Sequence, residues 1–218
     1  MTRLGAAVAM ALGLAVPALA DVNPSVAWIL AHSGTALVEA GIGEVEVRGT
    51  ELVGVDALAF RPGEDWTWFT VPNGPAHVVA FFHRQDIAYH KAAIVFSEMA
   101  PVCGAQVGLM HIDNGISAFL DRRSADALRQ YGEAMDAGCD LYSCLIVKQV
   151  PNQIVAQILR LPDGTSYPAV STGYGDGDYP VFMLRDADGA PTAAYVDFTG
   201  VAGMNEWQAP PACPKLQS

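Results

Sequence analysis

The sequence predicts a mainly β domain, mostly antiparallel and sandwich-like, with one or two helices; an α+β arrangement is the alternative. Three observations lead there. About ten to twelve apolar runs of strand length recur along the chain, polar or Gly/Pro-rich turns separate them, and only one segment shows strong helical spacing. No internal repeat, low-complexity tract or linker interrupts the pattern.

The elements follow in order. Asn23-Pro24 offers an N-cap with proline in the first turn, so Ser25 to His32 reads as a short helix stopped by Gly34. From Gly43 the period becomes two, with Val45 and Val47 alternating against Glu44, Glu46 and Arg48, and Leu52 to Leu58 is expected as the partner strand. Trp66 to Val71, His77 to His83 and Ile87 to Phe96 are further strands, broken by Pro72-Asn73-Gly74-Pro75 and Arg84-Gln85-Asp86. Gln106 to His111 and Ile116 to Leu120 read as strands around the turn Asp113-Asn114-Gly115. One helix is expected from a Ser124 cap through Ala127, Leu128, Tyr131 and Met135 to Gly138. Strands resume at Leu145–Val150, Ile154–Leu161, Tyr167–Ser171, Tyr179–Arg185 and Thr192–Phe198.

The first twenty residues read as a secretory signal peptide. Arg3 precedes an unbroken apolar run that ends at Ala18-Leu19-Ala20, which places cleavage after Ala20 and a single β-rich domain at 21–218. Position 21 is Asp, not the Cys of a lipoprotein. The expectation is therefore a periplasmic or secreted protein with no membrane span once the leader is cut. A mature chain of 198 residues is long enough to bury roughly 70% of its extended surface in one core. Its formal charge moves from −11 to −12 because Arg3 is the only charge lost, and so acidic a chain excludes a basic surface for nucleic acid or anionic lipid.

Four cysteines, Cys103, Cys139, Cys144 and Cys213, lie in the mature part. In an oxidising compartment an even count reads as two disulfides. Three pairings are open. The short Asp140-Leu141-Tyr142-Ser143 spacer favours Cys139–Cys144, which leaves Cys103–Cys213 to tie the tail to the middle of the domain, worth roughly 4 kcal/mol on the chain-entropy model. A C-x4-C pair alone does not make a zinc site.

Catalytic signatures are absent from the sequence: there is no G-x-S-x-G, H-E-x-x-H, S-x-x-K, P-loop or G-x-G-x-x-G. His77 and His83 share a strand face but sit about 20 Å apart, too far to share a metal. Of His90 and His111, only the latter has a carboxylate close in sequence, Asp113, and strand histidines of this kind read as structural.

The dense polar segment is Ser171 to Gly200, with five aspartates. Asp186-Ala187-Asp188-Gly189 reads as a hairpin turn. If Arg185 pairs near Thr192, Tyr179 comes near Phe198, and Asp176, Asp178 and Asp197 gather at the far end, roughly 20 Å from the turn. Tyr174, Asp176, Asp178, Tyr179 and Asp197 are therefore the candidate site, with Asp113 and Asp121 as residues the fold could bring alongside. Clustered carboxylates need a compensating cation, arginine or solvent, which is how a calcium site or a general acid/base pair is made.

The run Gly173-Tyr174-Gly175-Asp176-Gly177-x-Tyr179-Pro180, with Asp186-x-Asp188-Gly189 and Val196-Asp197-Phe198, resembles the C-terminal block of bacterial proteins grouped as domain of unknown function 4241. Gly43-Glu44-Val45 to Asp56, His77 to Phe96, and Asp113-Asn114-Gly115 to Phe119-x-Asp121 are similar to its upstream segments. The chain departs from that pattern between Gly138 and Gln153 and in its leader. The resemblance implies a fold and carries over no catalytic residue.

Three readings follow: an exported, disulfide-bonded module that binds a small ligand or a protein; a hydrolase or lyase using the aspartates; and a calcium-stabilised module. The position of Asp113 and Asp121 relative to Asp176 and Asp197 discriminates among them.

Overall fold

The structure is a computed structural model and describes residues 22–34, 36–58, 66–85, 88–135, 138–150, 154–200 and 209–213. The leader, 1–20, lies outside the described residues.

Eleven strands among the described residues form two antiparallel sheets. The larger contains β1 (Leu37–Val47), β4 (Gly74–His83), β5 (Tyr89–Val95), β11 (Pro191–Asp197), β10 (Gly177–Arg185) and β6 (Cys103–Ile112), in that order. The smaller runs β3 (Phe69–Thr70), β2 (Glu51–Asp56), β7 (Ile116–Asp121), β9 (Ser166–Ser171) and β8 (Ala156–Arg160). One face of the larger sheet packs on the smaller through Val78, Ile94, Met110, Val181 and Val196 against Leu52, Phe69, Phe119 and Val170. Its other face is covered by α1 (Pro24–Ala31), whose Val26 and Ile29 bury against Phe81, Val95, Leu184 and Tyr195. Central strands covered on both faces read as continuous apolar runs, which is how β5, β10 and β11 appear in the sequence.

The sandwich expectation holds, and three local expectations are corrected. The partner of β1 is β4, while β2 pairs with β3 and β7. The turn at Asp113-Asn114-Gly115 joins no hairpin: it carries the chain from β6 in one sheet to β7 in the other. Asp56 makes that crossing, because its Oδ2 accepts the backbone N–H of both Asp113 and Asn114 at 2.7 Å. The third correction is Leu145–Val150, which is not a strand. A π-helical turn, Tyr142–Ile146, runs into a short helix, α3 (Val147–Gln149). Leu145, Ile146 and Val150 bury on one side while Val147 and Lys148 face out, a helical division that a run of branched residues conceals. Asp140 starts the turn by accepting Ser143 N–H at 2.6 Å, and these hydrogen bonds hold its carboxyl below the usual range.

The long helix α2 (Arg122–Glu133) forms as expected but begins earlier. Asp121 is the cap, taking the N–H of Ser124, whose hydroxyl also donates to it. The expected β10–β11 hairpin is present, with Arg185 opposite Pro191 and Leu184 opposite Ala193. Asp186 closes its turn by accepting the N–H of Asp188 and Ala190.

Both expected cysteine pairs stand at bonding distance, Cys139 with Cys144 and Cys103 with Cys213. The second holds the segment 209–213 beside β6. There Gly104 N–H donates to Pro211 O at 2.8 Å, and Ala212 bridges Gly104 in parallel, covering one end of an edge strand. Cys213→Ser is expected to lower the unfolding free energy by about 2–5 kcal/mol, and Cys144→Ser by less because its loop is short. Denaturant melts of the two variants, with limited proteolysis of the tail, check the order.

Candidate functional site

The predicted cluster of Asp176, Asp178 and Asp197 does not form as one site. The β10–β11 register does bring Tyr179 against Phe198, with their rings edge to face at 5.4 Å, so the hairpin geometry is as expected. The carboxylates nevertheless diverge. Asp178 points at β6, where it sits opposite His111, and its Oδ1 lies 2.5 Å from His111 Nδ1. Asp197 points at β5 and forms a buried ion pair with Lys91, its register partner. Asp176 is exposed in the loop ahead of β10.

Asp113 joins Asp178 and not Asp197: its Oδ1 is 3.1 Å from His111 Nε2. His111 is thus held at both ring nitrogens by carboxylates from two different segments, all three side chains well exposed. The two carboxylates clamp the ring, Asp178 within hydrogen-bond distance of Nδ1 and Asp113 facing Nε2. The two carboxylates also occupy opposite sides of the ring, which keeps them from converging on a single ion. Among the described residues, no group of three or more His, Cys, Asp or Glu side chains is arranged to hold a metal ion.

Asp121 is at the other end of β7 from Asp113, consumed as the α2 cap and as acceptor for Arg48 N–H at 2.8 Å. Asp197 is likewise committed on its second oxygen, accepting Thr199 N–H and its hydroxyl. Its pairing with Lys91, whose side chain is 4% exposed, offsets the cost of burying either charge.

Tyr174 and Tyr179 have separate roles. Tyr179 donates its hydroxyl to Gly175 O at 2.7 Å, and Thr172 donates to the same carbonyl at 2.6 Å, which folds the glycine loop onto itself. Gly175 adopts φ +80°, open to glycine at no steric cost, while at Gly173 a side chain would strike the Tyr89 carbonyl 2.5 Å away. Tyr174 packs edge-on against His90, ring centroids 5.4 Å apart, and its hydroxyl reaches the imidazole at 3.3 Å. His90 in turn stacks near His83 across the β4–β5 hairpin at 6.4 Å. Sequence reading compared His83 with His77 along one strand and missed His90 across the turn; Arg84-Gln85-Asp86 was the available signal. Burial raises the Tyr89 and Tyr179 phenols above their ordinary value, and it raises Tyr195 further, with the Asp197 charge adding to the shift.

A family model described as "Protein of unknown function (DUF4241)" matches residues 76–196. The chain belongs to this family. The DUF4241 match takes in β5 to β10, nearly all of β4 and β11, the His111 clamp and the glycine loop; β1, β2 and the Cys213 segment lie outside it. No curated protein and no solved structure matches the chain.

Two outcomes are expected. Lys91→Met leaves a buried, unpaired carboxylate and should cost about 3–5 kcal/mol. Lys91→Met combined with Asp197→Asn, which keeps the oxygen facing Thr199, should recover part of that; urea unfolding measures both. Stability should also fall in alkali. The raised tyrosines have folded pKa values above the unfolded value of about 10, so their contribution is intact below that pH and lost as pH rises past it. Thermal melts between pH 8 and 11 read the sign.

Proposed function

We propose that the protein is an exported, disulfide-bonded binding module that recognises a small ligand or a protein and is not a hydrolase. The observation that carries this reading is how the aspartates are used. Asp56, Asp121, Asp186 and Asp197 each accept backbone N–H groups, so they serve the fold. Asp113 and Asp178 are committed to one exposed imidazole. Paired-carboxylate chemistry would need two carboxyl groups facing each other across an open cleft at roughly 5–10 Å, whereas the His111 ring fills the space between Asp113 and Asp178.

Export is supported by the leader at 1–20 and by four cysteines paired at bonding distance, which an oxidising compartment would close. Among the described residues no helix is long and apolar enough to cross a membrane. With the leader cut after Ala20, residues 21–218 would fold as one β-rich domain.

The test is a thermal-shift screen of the mature, oxidised protein against cations, sugars and peptides, run beside a panel of ester, glycoside and phosphoester substrates. A ligand at a hundred times its Kd should add about 2.7 kcal/mol of stability. Turnover that disappears in Asp178→Asn would overturn the binding reading in favour of the enzyme. Asp178→Asn is itself expected to change stability by less than about 1 kcal/mol, because the pair is exposed. EDTA should leave the melting temperature unchanged; a fall would restore the calcium reading.

A further inference from the structure

A second feature lies on the outer face of the larger sheet, away from the His111 clamp. β1 and β4 run in register except at Gly41–Gly43, where a bulge inserts Ile42. Beside the bulge opens a groove of about 530 Å³, lined by Asn23, Gly41, Ile42, Glu44, His77, Val79 and Glu98 among others. That volume is within the range of small-molecule sites, about 300–1,000 Å³. Its walls come from three places in the chain. Glu44 and His77 face each other across β1 and β4 with 3.4 Å between side chains. Glu98 follows β5, and Asn23 begins α1, where its side-chain amide donates to Ser97 O at 3.1 Å and fixes the rim.

The groove combines an apolar floor, from Ile42 and Val79, with carboxylates on two separate walls, and among the described residues its lining has no lysine or arginine. A shape of that kind complements an aliphatic stem carrying a positive charge at its end: the stem replaces water over the valine and isoleucine, and the head is drawn to the acids. The formal charge of −11 concentrates such cations around the whole molecule and adds to the local preference. The geometry points to this groove as a binding site for a small aliphatic ammonium ligand of the diamine class. The inference rests on the binding reading above but assigns it a place that reading did not name.

The probe is 1,5-diaminopentane titrated calorimetrically into the mature protein at low salt, with 1-pentanol and tetramethylammonium as controls. Saturable binding with Kd on the order of 1 mM or tighter is expected for the diamine alone. Glu44→Gln and Glu98→Gln should each weaken it about 2–5-fold, as the loss of one exposed charge pair does. Asp126→Asn, an equal charge change on α2, should leave it unaltered. All three positions are exposed, so the variants should melt with the wild type. Absence of saturable binding, equal weakening by Asp126→Asn, or equal binding of tetramethylammonium would overturn the site. Should the groove fail while another compound stabilises the protein in the thermal-shift screen, the groove alone is wrong; should no compound stabilise it while a substrate is turned over, the binding reading falls.

Discussion

A lysine and an aspartate facing each other across β5 and β11 set a condition that the larger sheet has to meet. These strands lie at its centre, where one face meets the smaller sheet and the other meets α1, so most side chains on them are apolar. Two opposite charges are admitted only because the register puts Lys91 opposite Asp197. A slip of one residue between the strands would turn one of the two charges to the sandwich core and leave the other on the opposite face, at a cost of several kcal/mol. The pair therefore fixes the alignment of two strands that are distant in sequence, and β10 follows because β11 is hairpinned to it. The same carboxylate also caps the turn at Thr199, which directs the chain out of the sheet.

Much of the architecture was legible because the cues were local. The Asp186 turn carries its own acceptors and a glycine, and the alternation from Val45 to Val47 announces a half-buried strand. Strand-length runs between turns gave the number of elements nearly right. What could not be read was long-range. Asp113-Asn114-Gly115 has the composition of a hairpin turn, and the partners that hold it as a passage between sheets, the Asp56 carboxylate 57 residues earlier and Thr172 N–H donating to Gly115 O, are distant in sequence. Leu145 to Val150 has the branched composition of a strand, and the cap at Asp140 together with a one-sided core turns it into helix. The site residues show the same division. Tyr179 met Phe198 as the hairpin required, but Asp178 and Asp197 turned to partners on different neighbouring strands, β6 and β5, and period-two arithmetic on one hairpin carries no information about those.

Acidity in this chain is spent in two ways. Inside, aspartates replace missing backbone acceptors at turns and helix starts, where short side chains reach the N–H groups. Outside, they and the glutamates outnumber the basic residues and leave the chain with a formal charge of −11. DUF4241 membership adds no assigned chemistry to the positions it covers. The proposed reading therefore places the function in recognition, where shape and charge at the surface matter more than proton transfer.

The bond between Cys103 and Cys213 closes a covalent ring around 110 positions of sequence. Six of the eleven strands, β6 to β11, fall wholly inside that ring. A peptidase that cuts the exposed Asp188 turn or the Asp163–Gly164 turn severs the backbone without setting any fragment free, since both ends stay tethered through sulfur. A nicked molecule can keep its sheets paired and its surface intact. For a protein exported as proposed, that converts an otherwise terminal cleavage into a tolerable scar.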